Sequence, residues 1–213
     1  MAHQRSLTAP IQQHIDRAID ELIVSLPDPE RLVPDERRGL IARYAAVLEG
    51  NFIYWMTAAY LSVASTEAHA IIRTNLLEEV SDNHPGMLRR FAMAARSIPT
   101  DRDALAVSRH LHGVREFVGR LSGARIVIMM ACFEGFIQRF MPYLEDLARR
   151  QGSSETQYTD VHGVCDIAHT QELFHALEAE LALIGVPPTA ALLEGVGLLT
   201  ALLQVIVHGE EGR

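Results

Sequence analysis

The chain has little of what several protein classes require. It carries only two cysteines, Cys132 and Cys165. They form no C-x-x-C pair and no framework, so a disulfide-built secreted fold is excluded. Basic residues are outnumbered, with 19 Lys+Arg against 27 Asp+Glu and a net charge of −8. A nucleic-acid binder needs a basic face to displace phosphate counterions, and a polybasic membrane-surface protein needs one against anionic lipid. Neither class fits. No Asn-Gly or Asp-Gly turn joins alternating apolar runs, so strand signals are weak. The most apolar late stretch, Ala190 to Val207, carries Glu194 and Gln204 and falls short of the roughly 20 residues a spanning helix needs. Met1-Ala2-His3-Gln4-Arg5-Ser6 shows no apolar signal core. The expectation is a cytoplasmic protein that contacts neither nucleic acid nor membrane.

Apolar residues, by contrast, are plentiful. They make up 48% of 213 residues, ample for a core and too many for a disordered chain. One domain over residues 1–213 is the simpler reading of that length. Almost every segment reads as helix. A first helix spans about Ile11 to Ser25, and Pro27, Pro29 and Pro34 mark the turn after it. Asp35 is placed to cap the next helix. Arg37 to Val80 is too long for one ordinary helix and should break near Gly50–Asn51 or Ser62–Thr66. Ser81-Asp82-Asn83-His84-Pro85-Gly86 is the clearest internal break, followed by a helix over Met87–Arg96. After a second break at Ser97–Asp101, capped by Thr100 or Asp101, helices follow over Asp103–Leu121, Ala124–Arg150, Thr156–Ile184 and Ala190–Val207. The fold class is therefore all-α, a bundle of about seven to nine helices. Met129, Met130, Phe133, Phe136 and Ile137 are expected in its core.

Three features could carry chemistry. The first is His162-x-x-x-Asp166-x-x-His169. At about 100° per residue, all three side chains share a sector about 60° wide over two turns. Imidazoles with a carboxylate on one helix face suit iron, manganese or zinc; a solvated polar face is the plain alternative. The second is Glu134, set within Ile126–Ile137. A helix apolar nearly all round is buried, and a carboxylate inside it needs a metal or an arginine such as Arg139 or Arg125. The third is Glu78-Glu79 followed by His84-Pro85. Glu79 and His84 lie about 140° apart on a continuous helix, so they share a ligand only if the helix ends or distorts at Ser81–Asn83. Pro85 favours that by pushing His84 out of the helical region. Otherwise Glu78 and Glu79 are surface charges and His84 is a turn residue.

Taken together, three carboxylates and three histidines on separate helices match the design of carboxylate-bridged two-metal sites in bundles. Two divalent irons would leave one positive charge uncompensated by three carboxylates. Glu49 is the best available fourth carboxylate, with an exposed helix-end charge as its alternative reading.

Asn75-x-x-Glu78-Glu79, His84, Glu134 and His162-x-x-x-Asp166-x-x-His169 resemble the haem-oxygenase-like di-iron oxidases. That family is all-helical, binds no haem, and uses two irons with O2 for N-oxygenation, oxidative decarboxylation or carbon–carbon cleavage, often in natural-product pathways. The resemblance implies Glu79, His84, Glu134, His162, Asp166 and His169 as iron ligands, O2 as co-substrate, and a small organic substrate, plausibly derived from an amino acid. It also implies an electron donor where the reaction needs one, and a homodimer. Two departures stand out. The gap from Glu79 to His84 is short, which keeps Glu78 as an alternative ligand. The family's glutamate from the first core helix has no counterpart here, and Tyr44, Asn51 and Tyr54 sit near its place. A metal-free branch of the same fold, the TenA-like aminopyrimidine hydrolases, uses a cysteine nucleophile beside a glutamate, and Cys132 lies two residues from Glu134. A metal-free binding bundle is the third reading. The substrate pocket is expected between the helices bearing Trp55, Glu134 and His162. His110, His112, His175 and Gly195-Val196-Gly197 are given no functional role.

Overall fold

In the computed structural model of the chain, residues 8–209 are described; the Met1–Ser6 segment lies outside them. Nine helices and no strand occur among these residues. In order they are α1 (Ala9–Val24), α2 (Pro34–Ser62), α3 (Thr66–Ser81), α4 (His84–Ala94), α5 (Asp101–Gly119), α6 (Gly123–Arg150), α7 (Gln157–Ile184), α8 (Thr189–Leu192) and α9 (Glu194–His208). None is long and apolar enough to cross a membrane.

The apolar run predicted to be buried forms the central rod. Every residue from Ile126 to Ile137 of α6 is buried, Met129, Met130, Phe133 and Phe136 among them. A helix with no polar face must be covered on all sides. Here α1, α2, α7 and α9 supply the cover. Phe133 packs against Phe52 and edge-on against Trp55, each with ring centroids 5.6 Å apart, which locks α2 to α6. α7 follows α6 after a short polar loop and forms its most extensive contact.

Several element boundaries differ from the sequence expectation, each for a local reason. Of the two breaks expected after residue 37, the one at Ser62–Thr66 is realised, over Val63–Ser65; through Gly50–Asn51 the helix runs on, with the Asn51 amide donating to Val47 O (2.6 Å) within it. The break itself is held from outside. Glu180 on α7, 2% exposed, accepts from Ala64 N (3.0 and 2.9 Å) and Ser65 N (2.8 Å). Ser65 then caps α3 by accepting from Ala68 N. At the same corner Gly123 opens α6, where a Cβ would sit 2.6 Å from Ser62 O; only glycine permits that approach. Asp35 does not cap α2; Glu36 accepts from Val33 N (2.9 Å) instead. Helix α4 starts at His84, three residues earlier than expected. Asn83, with φ 55°, reverses the chain, and its side chain accepts from Gly86 N (3.2 Å). Pro85 is thus a first-turn proline, where its missing N–H costs nothing, and does not expel His84 from the helix. The last predicted helix is two, α8 and α9, divided at Leu193.

Glu180 positions the α2–α3 corner and, through it, the direction of α3. Glu180→Gln keeps the shape but leaves a donor facing backbone N–H groups. It should cost about 1–3 kcal/mol, read as a lower urea midpoint with unchanged slope.

Candidate metal centre

The three sequence features converge. Glu79 comes from the last turn of α3, His84 from the first residue of α4, Glu134 from the middle of α6, and His162, Asp166 and His169 from one face of α7. All six are buried, between 0% and 4% exposed. The three-residue sector on α7 points at Glu134 because α6 and α7 are packed along their length. Glu79 and His84 meet because the left-handed Asn83 folds α4 back across the end of α3.

The ligand atoms fall into two adjacent groups. In one, Glu79, His84 and His162 offer atoms within 4.8 Å of one another; in the other, Glu134, Asp166 and His169 do the same. His84 Nδ1 is 2.8 Å from Glu79 Oε1. His169 Nδ1 is 3.9 Å from both Glu134 Oε1 and Asp166 Oδ1 and 4.0 Å from Glu79 Oε1, which joins the groups. The His84 and His162 rings meet edge to face at 4.6 Å.

What these atoms lack is equally informative. His84 Nε2, Glu134 Oε1, His162 Nε2, Asp166 Oδ2 and His169 Nδ1 have no hydrogen-bond partner, and Glu79 Oε1 and His84 Nδ1 have none beyond their own 2.8 Å ion pair. Buried polar atoms normally find one. Neither arginine considered as a partner for Glu134 reaches it: Arg139 pairs with Asp20 (2.7 Å), and Arg125 with Glu194. Burial, together with the charges of Asp166 and Glu79, pushes the Glu134 carboxyl well above the ordinary carboxylate range. Burial pulls the His84 imidazole down, but its contact with Glu79 and the charges of Asp166 and Asp82 outweigh this and raise it. Five unpartnered N and O atoms converging with the Glu79–His84 pair fit two divalent first-row ions, each with imidazole and carboxylate ligands.

Two tentative ligands are not in the cluster. Glu49 is on the opposite side of α2, paired with Arg89 through Nε (2.7 Å) beside a separate cleft under Ile98 and Pro99. It points there because Arg89, on α4, is its nearest cation. Glu78 faces outward with a 54% exposed side chain, yet its Oε2 sits 3.0 Å from His169 Nε2. It therefore touches the centre from behind. Accepting the Nε2 proton fixes the His169 tautomer and leaves Nδ1 free to bind an ion. The Cys132 reading also fails. Two residues along a helix is about 200°, so Cys132 faces α1 and Asp16, away from Glu134. Burial pushes its thiol up to about 12, which leaves almost no thiolate for attack.

A narrow cleft opens onto the first group. Glu79, His84 and His162 form its polar floor, and Leu48, Phe52, Pro85, Leu88, Ile137 and Tyr158 its walls. Trp55, expected in the pocket, is fully buried against Phe133 instead. Tyr158 was not singled out from the sequence, although it precedes His162 by four residues on the same face. Its ring lies 4.5 Å from that of His162, and its hydroxyl is 2.8 Å from the equally buried Tyr44 hydroxyl. Asn75 has a packing role: its amide donates to Glu172 Oε2 (2.6 Å), tying α3 to α7.

Fold and site together define a helical bundle with a buried centre of paired carboxylate–imidazole groups. Residues 38–202 match the profile of the iron-containing redox enzymes, whose fold is haem-oxygenase-like, and the chain belongs to that family. No curated protein matches the sequence significantly.

A carboxyl group whose pKa folding raises destabilises the folded chain increasingly as pH rises above the ordinary carboxylate range. Glu134→Gln should therefore stabilise the metal-free protein at pH 7 by about 1–2 kcal/mol. The gain should shrink as pH falls toward about 4, and added ferrous iron should stabilise the variant less than wild type; thermal melts across pH, with and without iron, check both. Glu78→Ala should weaken ferrous binding about tenfold, and Glu78→Gln, which keeps an acceptor, by less. An anaerobic titration against a chromophoric chelator measures it.

Proposed function

We propose that the protein is a non-haem di-iron oxidase that uses O2 to oxidise a small organic substrate. The observation that carries this reading is the pair of adjacent, buried ligand groups, several of whose oxygen and nitrogen atoms have no hydrogen-bond partner. Glu79, His84 and His162 would hold one iron, and Glu134, Asp166 and His169 the other. Iron, when bound, supplies electrons and Lewis acidity for O2 chemistry.

The chain's own residues do the rest. Glu134 and Glu79, one from each group, both face His169 Nδ1, with oxygens 3.9 and 4.0 Å from it, and would supply the negative charge that offsets the ions. Glu78 keeps the His169 proton on Nε2. The apolar cleft walls exclude water and orient a substrate whose reactive carbon or nitrogen reaches the His84–His162 floor. That cleft is lined by no Lys or Arg, and an apolar body suits its walls. The resemblance to the di-iron oxidases supports the finer reading, an amino-acid-derived substrate in a natural-product pathway converted by N-oxygenation, desaturation or carbon–carbon cleavage.

Anaerobic loading with ferrous iron should give two irons per chain by metal analysis. His169→Ala and Asp166→Ala should lose iron from the second group. His84→Ala should keep one, since His84 contributes to the first group only. O2 uptake by the loaded wild type, followed with an oxygen electrode, should rise with substrate. A wild-type chain that takes up no ferrous iron would overturn the reading.

A further inference from the structure

One residue beside the centre has no part in either iron group. Cys165 follows His162 by three positions on α7 and precedes Asp166 directly, so the helix turns its thiol toward both. Its Sγ lies 3.1 Å from Asp166 Oδ1, and His162 Nδ1 lies 3.1 Å from that same oxygen. His162, Cys165 and Asp166 offer ligand atoms within 4.8 Å of one another. Ligand atoms around tetrahedral zinc, with bonds of about 2.0–2.3 Å, stand about 3.3–3.6 Å apart, close to the spacing found here. Asp166 Oδ2 and His162 Nε2 are buried and lack partners, so the thiol contact satisfies neither side chain fully.

We propose that His162, Cys165 and Asp166 form a second, thiolate-containing site for a single thiophilic divalent ion, with zinc as its natural occupant. Sulfur prefers zinc over a hard ion, whereas the all-oxygen-and-nitrogen groups accept iron. Binding forms an S–Zn bond as the thiol proton passes to solvent; no electron moves. The consequence for iron rests on the di-iron reading above. His162 belongs to one iron group and Asp166 to the other, so one zinc ion at this site removes a ligand from both. Zinc and iron loading are then mutually exclusive, and a single zinc ion silences a two-iron centre.

The test uses cobalt as a spectroscopic stand-in for zinc. Cobalt(II) added to the full-length, metal-depleted chain should give a near-ultraviolet sulfur-to-cobalt charge-transfer band, which one equivalent of zinc abolishes. Cys165→Ser, with folding checked by circular dichroism, should lack the band and bind zinc at least about tenfold more weakly; Cys165→Ala should behave alike. Zinc-preloaded wild type should take up almost no ferrous iron, and Cys165→Ser under the same zinc should take up its full complement. A wild-type cobalt complex without the band overturns the proposal, as does unchanged zinc affinity in both variants or full iron loading alongside bound zinc. The band does not depend on iron. A chain that shows it but never binds ferrous iron leaves this site standing and removes the oxidase reading; a chain that loads two irons without the band does the reverse.

Discussion

Carrying three carboxylates into the interior of an apolar bundle is the constraint on which the rest of this structure depends. An ionised carboxylate out of water costs several kcal/mol unless a cation or a set of donors receives it. Among the described residues no arginine pairs with Glu79, Glu134 or Asp166. The arginines near these helices are committed to surface acids such as Asp20 and Glu194. The carboxylates meet three imidazoles instead, and most of the facing atoms remain unpartnered. Such a cluster opposes folding. It is held by the packing of α6 against its neighbours, and by contacts behind the ligands from Glu78 to His169 and from Asn75 to Glu172.

Division of labour among the helices follows from that strain. The apolar rod of α6 contributes a single candidate ligand and most of the core. α7 contributes three candidate ligands at helical spacing and also reaches back with Glu180 to set the α2–α3 corner. The clearest break in the sequence, Ser81 to Gly86, is an ordered reversal built on one left-handed asparagine, and it brings two candidate ligands from consecutive helices together. Membership of the iron-containing redox enzymes accords with this arrangement, since iron accepts mixed imidazole and carboxylate ligands.

The cleft and the centre also divide specificity from reactivity. Walls contributed by α2, α4, α6 and α7 are apolar apart from the Tyr158 hydroxyl, while the carboxylate and the two imidazoles of the cleft lie on its floor. In the proposed oxidase a substrate would be held by shape and apolar burial, with its polar end left for the floor. Cys165 stands beside His162 and Asp166 on the same helix turn, where the proposed thiolate site would select a different metal.

Local patterns in the sequence determined a good deal of this protein. Continuous burial of Ile126–Ile137 was legible because a helix without a polar face has nowhere to go but the centre. His162, Asp166 and His169 were legible as one face because helical geometry alone places them there. What only the tertiary structure decided was partnership across helices. Both Glu78 and Glu79 reach His169, but only Glu79 is enclosed with the other clustered groups, and no spacing rule contains that. Glu49 was drawn to Arg89, a contact between α2 and α4 that the sequence does not announce. The break at Val63–Ser65 was selected by Glu180, 115 residues away from Ser65, and His84 reached Glu79 through a backbone reversal at Asn83. Periodicity reports which residues share a face of their own helix; which face of another helix they meet is set by how the whole core packs.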